Sequence, residues 1–483
     1  MQASFQQIEK NARLIMVIGA LLMLLCIAAF SFTGNYFILA IPFVIVIAAW
    51  VILDWKSFYW FFIFSIPLSA EIHLGSMSTT VPDEQMMWIF VPLTLLVLAV
   101  NYKRIPHWFL KHPITLIIFL QFVWLVVAVF FSQNHFLSFK FLAAKIWFLV
   151  SYLLVSSMII KDKKDIRKAF LLFSIPLMVH AVFVFIWHGI RRFDYWDSNF
   201  VVQPFYFNHV DHSTVLSMMF PLMLISYQLT KGKKNLNRLA LALVIFLIPA
   251  IWYTGARAAM LGVIFCLVIN FAVKKRLVNF VLPMFYIFVA SMAFYLSNNY
   301  TFVKYRPNIK YTATQRTFGD LMTATFQGTD MSSMERFYRW IAVARMSQDH
   351  MIVGVGPNNF YDYYKNYTSP MFKTWVSRNE EKSTTHNYFM FLLVEQGWPA
   401  TILYAILMMA IFAFGQRIYH RTQDPYYRNL TMGIVMMLAA GFVNNFFSEL
   451  WETHKIGAMF YLGIIFLILL DHLTKKQLKE QLV

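Results

Sequence analysis

The sequence predicts an all-α polytopic membrane protein with about 12–14 transmembrane helices and one large, partly helical extracytoplasmic loop. Three observations carry that reading. Of 483 residues, 59% are hydrophobic and 13% are charged, about half the charged share of a soluble chain. The apolar residues gather into long runs, most of them near the ~20 residues a spanning helix needs. The basic residues collect in alternate connecting segments, the signature of a chain threaded through a bilayer. Lipid satisfies no backbone polar group, so helices are the expected form of these runs.

Fourteen apolar runs are visible, at approximately 14–33, 36–53, 57–70, 84–100, 114–132, 142–160, 169–188, 213–229, 236–253, 258–273, 278–297, 398–416, 430–447 and 456–470. The third is the shortest. The first follows Lys10 and Arg13 and has no small-x-small cleavage site, so it reads as an uncleaved span rather than a signal peptide. Residues 1–297 therefore hold about eleven spans, 298–385 form the large loop, and 386–483 hold a boundary helix, the last three spans and a cytoplasmic tail. The two cysteines, Cys26 and Cys266, lie inside apolar runs and suggest neither a disulfide framework nor a metal site.

With the N-terminus inside, 24 of the 41 basic residues fall in the cytoplasmic segments, and every such segment holds at least one. Both termini are then cytoplasmic. The net charge of +18 reflects topology and contact with anionic membrane lipids. It is spread over many loops, which argues against nucleic-acid binding. The same assignment places Gly189 to His212 and Asn298 to Thr385 on the outer side. The second of these is far longer than an ordinary connection. Its Trp340, Trp375 and many Tyr and Phe predict a folded loop. Ser333 to Asp349 has the spacing of an amphipathic helix, with Met334, Phe337, Ile341 and Met346 on one side and Ser333 as N-cap.

Several polar residues sit where this loop meets the spans. Arg257, in Tyr253-Thr254-Gly255-Ala256-Arg257, lies in a turn too tight to release its side chain into bulk water. A snorkelling anchor and a bound anion both fit that position. Arg336, Arg339 and Arg345 lie on the loop helix, and the first two share a face. Either they form a solvated face, or their planar forks grip a phosphate. Gly354-Val355-Gly356-Pro357-Asn358-Asn359-Phe360 is a tight turn that folds the loop back onto the spans; no βαβ unit surrounds it, so it is no dinucleotide site.

His386, in Ser383-Thr384-Thr385-His386-Asn387, opens a helix at the outer boundary, with Thr384 or Thr385 as its cap. A neutral imidazole there suits a general base acting on a hydroxyl. Glu395, nine residues on, is half a turn out of phase with it and fits a structural bond near Gly397. His209-Val210-Asp211-His212 has a zinc-compatible spacing, but further ligands are not evident. A polar rim beside a substrate path is the alternative.

Taken together, Thr254-Gly255-Ala256-Arg257, Glu335-Arg336-Phe337-Tyr338-Arg339-Trp340, Asp349 to Phe360, and His386-Asn387 with Glu395-Gln396-Gly397 resemble the O-antigen ligase and O-antigen polymerase superfamily in order, spacing and loop placement. The motifs cover roughly Asn208 to Ala400. Ala256 stands where the family often has Ser, Met351 where it often has Pro, and Ala400 replaces a Gly. The family's span count is nearer twelve.

The resemblance implies a metal-independent, inverting glycosyltransferase of the bacterial inner membrane, with its active site facing the periplasm and no cofactor. The donor would be a glycan on undecaprenyl diphosphate, and the acceptor lipid A-core or a growing glycan. It implies diphosphate binding by Arg257 and Arg336, with Arg339 beside them, and His386 as the base. Asn387, Glu395, Arg191, Arg192 and His209 would support the site. Ligase, polymerase and protein O-oligosaccharyltransferase share this donor chemistry. A lipid-glycan flippase is the rival of a different class, and would place polar groups at mid-bilayer.

Overall fold

The computed structural model describes residues 2–35, 37–74, 77–307, 324, 330–374, 377 and 384–481. Trp375 and Ser383 lie outside them. The chain is a multi-pass helical membrane protein divided into two compact units, Met1–Phe64 and Ser65–Val483. Among the described residues, eleven helices are long and apolar enough to cross a membrane.

The first unit holds α1 (Gln2–Thr33) and most of α2 (Phe37–Ser65). The runs at 36–53 and 57–70 are two helical segments that meet at a break. They are the two halves of α2, broken at Asp54, whose φ of −150° and ψ of 71° are non-helical. Asp54 Oδ1 accepts from the Ser57 N–H at 3.2 Å and so caps the second half. The Trp50 ring lies 5.5 Å from Phe58 and 5.3 Å from Phe61. A straight helix would put residues eleven apart ~16 Å from each other, so the chain bends sharply at Asp54. The second half is about ten residues, ~16 Å, well short of a bilayer core. The two segments together make one of the eleven spanning helices.

The second unit begins with an antiparallel hairpin, β1 (Ala70–Leu74) and β2 (Met77–Val81), with Ala70 opposite Val81. The helices α3 (Asp83–Val100), α4 (Pro113–Phe130), α5 (His135–Phe148, continuing to Ile159), α6 (Lys163–Ile190), α7 (His209–Leu229), α8 (Lys234–Trp252), α9 (Arg257–Lys274) and α10 (Val278–Ser297) follow. The loop helix α11 (Met331–Asp349) precedes α12 (Tyr388–Arg421), α13 (Pro425–Phe446) and α14 (His454–Gln481).

Polar caps stand where the apolar runs begin. Asp162, Asn208 and Asp424 each accept from the first free N–H groups of α6, α7 and α13. α13 and α14 are the most buried helices. Asn444 joins α13 to α7 by accepting from Thr214 (3.0 Å) and donating to Ser217 (3.1 Å).

The connections after α2, α4, α6, α8, α10 and α13, and that between α11 and α12, gather at one end of the bundle. The clustered lysines and arginines of 103–111, 161–168, 231–238, 274–276, 417–428 and 475–479 mark the other. The large loop has its own core, in which Tyr338, Met346, Val355, Phe360 and Phe372 bury against Leu393 and Val394 of α12.

The α11 helix starts two residues before the expected Ser333. Its N-cap is Asp330, which reaches the exposed N–H of Ser333.

Candidate active site

Three segments build the site: the α8–α9 turn, α11, and the turn leading into α12. In the first, Gly255 has φ +68°, the left-handed conformation that lets the chain reverse within a few residues. Thr254 closes the turn, donating to Ile251 O (2.6 Å) and accepting from the Ala256 N–H (3.3 Å). Arg257 therefore emerges as the first residue of α9.

Arg257 Nη2 donates to Asp330 Oδ2 at 2.7 Å. The same oxygen accepts from the Ser333 N–H (3.0 Å) and hydroxyl (2.7 Å). Burial alone would raise the Asp330 pKa, but the bonds from Ser333 and Arg257 outweigh it and hold the carboxyl below its usual range. One helix turn further on, Arg336 Nη1 donates to Ser332 O (3.2 Å) and Oγ (2.7 Å). Burial, and then the neighbouring charge of Arg257, push its pKa down to about 10, so it is still cationic at neutral pH. Arg339 pairs with Glu335 at 3.7 Å, and Glu335 in turn accepts from the Thr374 and Ser377 hydroxyls. Arg345 instead ties α11 to the carbonyls of Tyr367 (3.1 Å) and Thr368 (3.0 Å).

The third segment carries His386. It precedes the helix rather than opening it: Asn387, not Thr384 or Thr385, is the cap of α12, accepting from Phe389 N (2.9 Å) and Met390 N (3.1 Å). The threonines are used elsewhere. Their hydroxyls donate to the Glu449 carboxylate, which also accepts the Asn387 N–H at 3.2 Å. Trp340 of α11 donates to Thr385 O at 2.9 Å, and Asn387 donates to Phe446 O at 2.9 Å. Held from three sides, His386 takes φ +54°, a left-handed conformation uncommon outside glycine and asparagine. Burial, and then Arg336 and Arg339, push its pKa down to about 3. The imidazole is therefore neutral at pH 7. Glu449 itself is raised above the usual carboxylate range by burial.

His386 and Glu449 line a cavity of about 520 Å³ together with residues of the β hairpin, Asp211 and Lys455.

Glu395 lies within α12, away from this cavity. Its carboxylate accepts from the Asn358 N–H (2.6 Å) and the Phe360 N–H (3.2 Å). The glycine-rich turn packs backbone to backbone on the same stretch: Val355 N donates to Val394 O (2.9 Å) and Trp398 N to Met351 O (3.1 Å). A Cβ on Gly397, at φ +78°, would lie 1.9 Å from Ile352 O, so only glycine fits.

Arg191 pairs with Asp197 at 3.2 Å over the Phe200 ring, Arg192 is exposed, and His209 bonds Asn199 at 2.7 Å. None of the three lines the 520 Å³ cavity. Among the described residues, no group of three His, Cys, Asp or Glu side chains is placed to hold a metal.

Sequence reasoning missed Asp330 and Glu449. Asp330 carried a signal, an acid just before Ser332-Ser333 at a helix start. Glu449 carried none, because the 62-residue separation from the turn it holds is purely tertiary.

The fold and this geometry define a polytopic membrane protein with an arginine cluster and a neutral histidine at one end of its bundle. Residues 239–405 match the family model described as O-antigen ligase. The match runs from α8 into α12 and contains Arg257, Arg336, Arg339, His386, Asn387 and Glu395. It supports an O-antigen ligase- or polymerase-like, glycosyltransferase-type function on lipid-linked glycans in a membrane. No curated protein matches the chain.

Proposed function

We propose that the protein is an inverting glycosyltransferase of O-antigen ligase type. It moves a glycan from undecaprenyl diphosphate to an acceptor hydroxyl, such as that of lipid A-core, at the outer face of the bacterial inner membrane. The observation that carries this reading is a neutral His386 beside the guanidinium groups of Arg336 and Arg339, on the wall of a cavity.

In this reading the diphosphate lies against Arg257 and Arg336, with Arg339 behind them. His386 takes the proton from the acceptor hydroxyl as its oxygen attacks the anomeric carbon. The C–O bond to the diphosphate breaks, the electron pair leaves with the phosphate oxygen, and the anomeric configuration inverts. Fixed cations stabilise the charge that develops on the leaving group, so the reading is metal-independent. Holding the donor on the arginines and the acceptor in the cavity on which His386 opens supplies the proximity contribution.

The bound diphosphate also acts on the base. Its negative charge offsets the arginine field that depresses His386, so the imidazole becomes more basic when donor is in place. The basic residues at the opposite end support a cytoplasmic position for that end and an outer position for the site.

The test is a purified-protein assay with a polyprenyl-diphosphate oligosaccharide and two acceptors, lipid A-core and a second donor molecule. Transfer to lipid A-core identifies a ligase. Elongation on the carrier identifies a polymerase on the same donor chemistry. Release of no polyprenyl diphosphate with either acceptor contradicts the transferase reading.

A further inference from the structure

The cavity beside His386 differs in charge from the arginine cluster. Its lining includes Asp211, at the start of α7, and Glu71, on β1. Asp211 is 8% exposed. Among the described residues, neither carboxylate receives a hydrogen bond from a side chain or backbone N–H, and neither is in an ion pair. Lys455 stands nearby, but its ammonium is turned to the carbonyls of Ser69 (2.8 Å) and Phe205 and lies 4.2 Å from the Tyr206 ring. The other acids on the wall are already satisfied: Glu84 by Thr79 and Thr80, Glu449 by Thr384 and Thr385, and Glu452 by Lys145.

A buried carboxylate without a protein donor is costly, and as an acceptor it is satisfied by water or by a ligand that brings N–H or O–H. Asp211 is such a group, and with the half-buried Glu71 it faces a chamber large enough for about two sugar rings, beside Phe205 and Tyr206, aromatic surfaces of the kind on which sugar C–H faces pack.

We propose that this chamber is the acceptor subsite, and that Asp211 and Glu71 bind hydroxyl or amine groups of an acceptor sugar that carries no phosphate near its reacting hydroxyl. The inference rests on the transferase reading above. The donor diphosphate takes the arginine side, the acceptor takes the acidic side, and His386 stands between them. A phosphorylated ring would bring its charge against two carboxylates whose nearby cation, Lys455, is already held by the carbonyls of Ser69 and Phe205, which discriminates against it.

The experiment uses full-length protein in detergent, a polyprenyl-diphosphate oligosaccharide donor, and three acceptors. These are a neutral trisaccharide on a hydrophobic aglycone, the same with a terminal 2-amino sugar, and the same with a 6-phosphate. Asp211→Asn and Glu71→Gln are compared with the unaltered protein. The expected result is a rise of about tenfold or more in acceptor KM for each variant, as for a lost bond to a charged group. Donor KM stays within about twofold, and the phosphate acceptor is the poorest of the three. If Asp211→Asn does not fold, Glu71→Gln on the hairpin carries the test. An unchanged acceptor KM in Glu71→Gln, or a preference for the phosphate acceptor, overturns the subsite while leaving the transferase reading intact. Failure of the unaltered protein to release polyprenyl diphosphate with any acceptor overturns both.

Discussion

Arg257 and Asp330 are separated by 73 positions and meet at 2.7 Å. The arginine begins a bundle helix, and the aspartate caps the loop helix that carries Arg336 and Arg339. One carboxylate therefore sets the distance between the cations on the two elements. Arg257→Lys keeps the charge but loses the planar fork. The variant is expected to raise donor KM about tenfold or more, the size of one lost charge-assisted bond. A steady-state titration of the lipid-linked donor checks this. Unchanged donor KM would remove Arg257 from the phosphate site.

His386 adopts a left-handed backbone, so the variant that removes its imidazole must tolerate that conformation. Asparagine does so better than alanine. His386→Asn is expected to slow transfer by about 10²–10⁴-fold, the usual contribution of a general base. Its thermal unfolding midpoint should match that of the parent. A variant that unfolds early would point to a structural role instead.

Glu449 touches no substrate in this scheme and acts by holding the turn. Glu449→Gln places an amide N–H₂ against the hydroxyls and N–H groups the carboxylate now serves. The expected effect is a fall in kcat of about tenfold or more, the cost of one lost charged hydrogen bond, with donor KM little changed. An equal rise in donor KM would contradict a pure positioning role.

The His386 pKa of about 3, against an ordinary 6.5, gives a signed pH dependence. Between these values the unfolded chain binds a proton that the folded chain does not. Stability therefore rises with pH across this window, and the contribution is lost as pH falls below 6.5. In catalysis, the acid limb of kcat/KM reports free protein and that of kcat reports the donor complex. The kcat limb is expected at the higher pH, because the bound diphosphate offsets the arginines. Arg336→Gln should also move the kcat/KM limb upward. Two coincident limbs, unmoved by Arg336→Gln, would dissociate the histidine from the arginine field.

The seam between the loop and α12 depends on Gly397. A methyl group there would collide with Ile352 O, so Gly397→Ala is expected to destabilise by about 3 kcal/mol or more. Thermal unfolding measures it directly, and a midpoint within a degree of the parent would mean that the seam opens without cost.

Much of this arrangement was legible in the sequence because its physics is local. Apolar runs gave the helices, and alternating basic segments gave the two ends of the bundle. Arg257 stood out by its tight turn, Arg336 and Arg339 by helical spacing, and His386 by its boundary position. What escaped depends on tertiary contact. Glu449 reaches a turn 62 residues away, and Asp211 joins Glu71 only because α7 meets the hairpin across the cavity. The structural bonds expected of Glu395 go to the N–H groups of Asn358 and Phe360, loop partners that no local pattern names.

The decisive measurement is release of free polyprenyl diphosphate from a lipid-linked oligosaccharide by the purified protein with acceptor, with and without chelator, beside His386→Asn. Chelator-insensitive release by the parent, falling by about 10²-fold or more in the variant at equal thermal stability, is the expected result. Equal release by both proteins, or release abolished by chelator, would contradict an arginine-held diphosphate attacked with the help of His386.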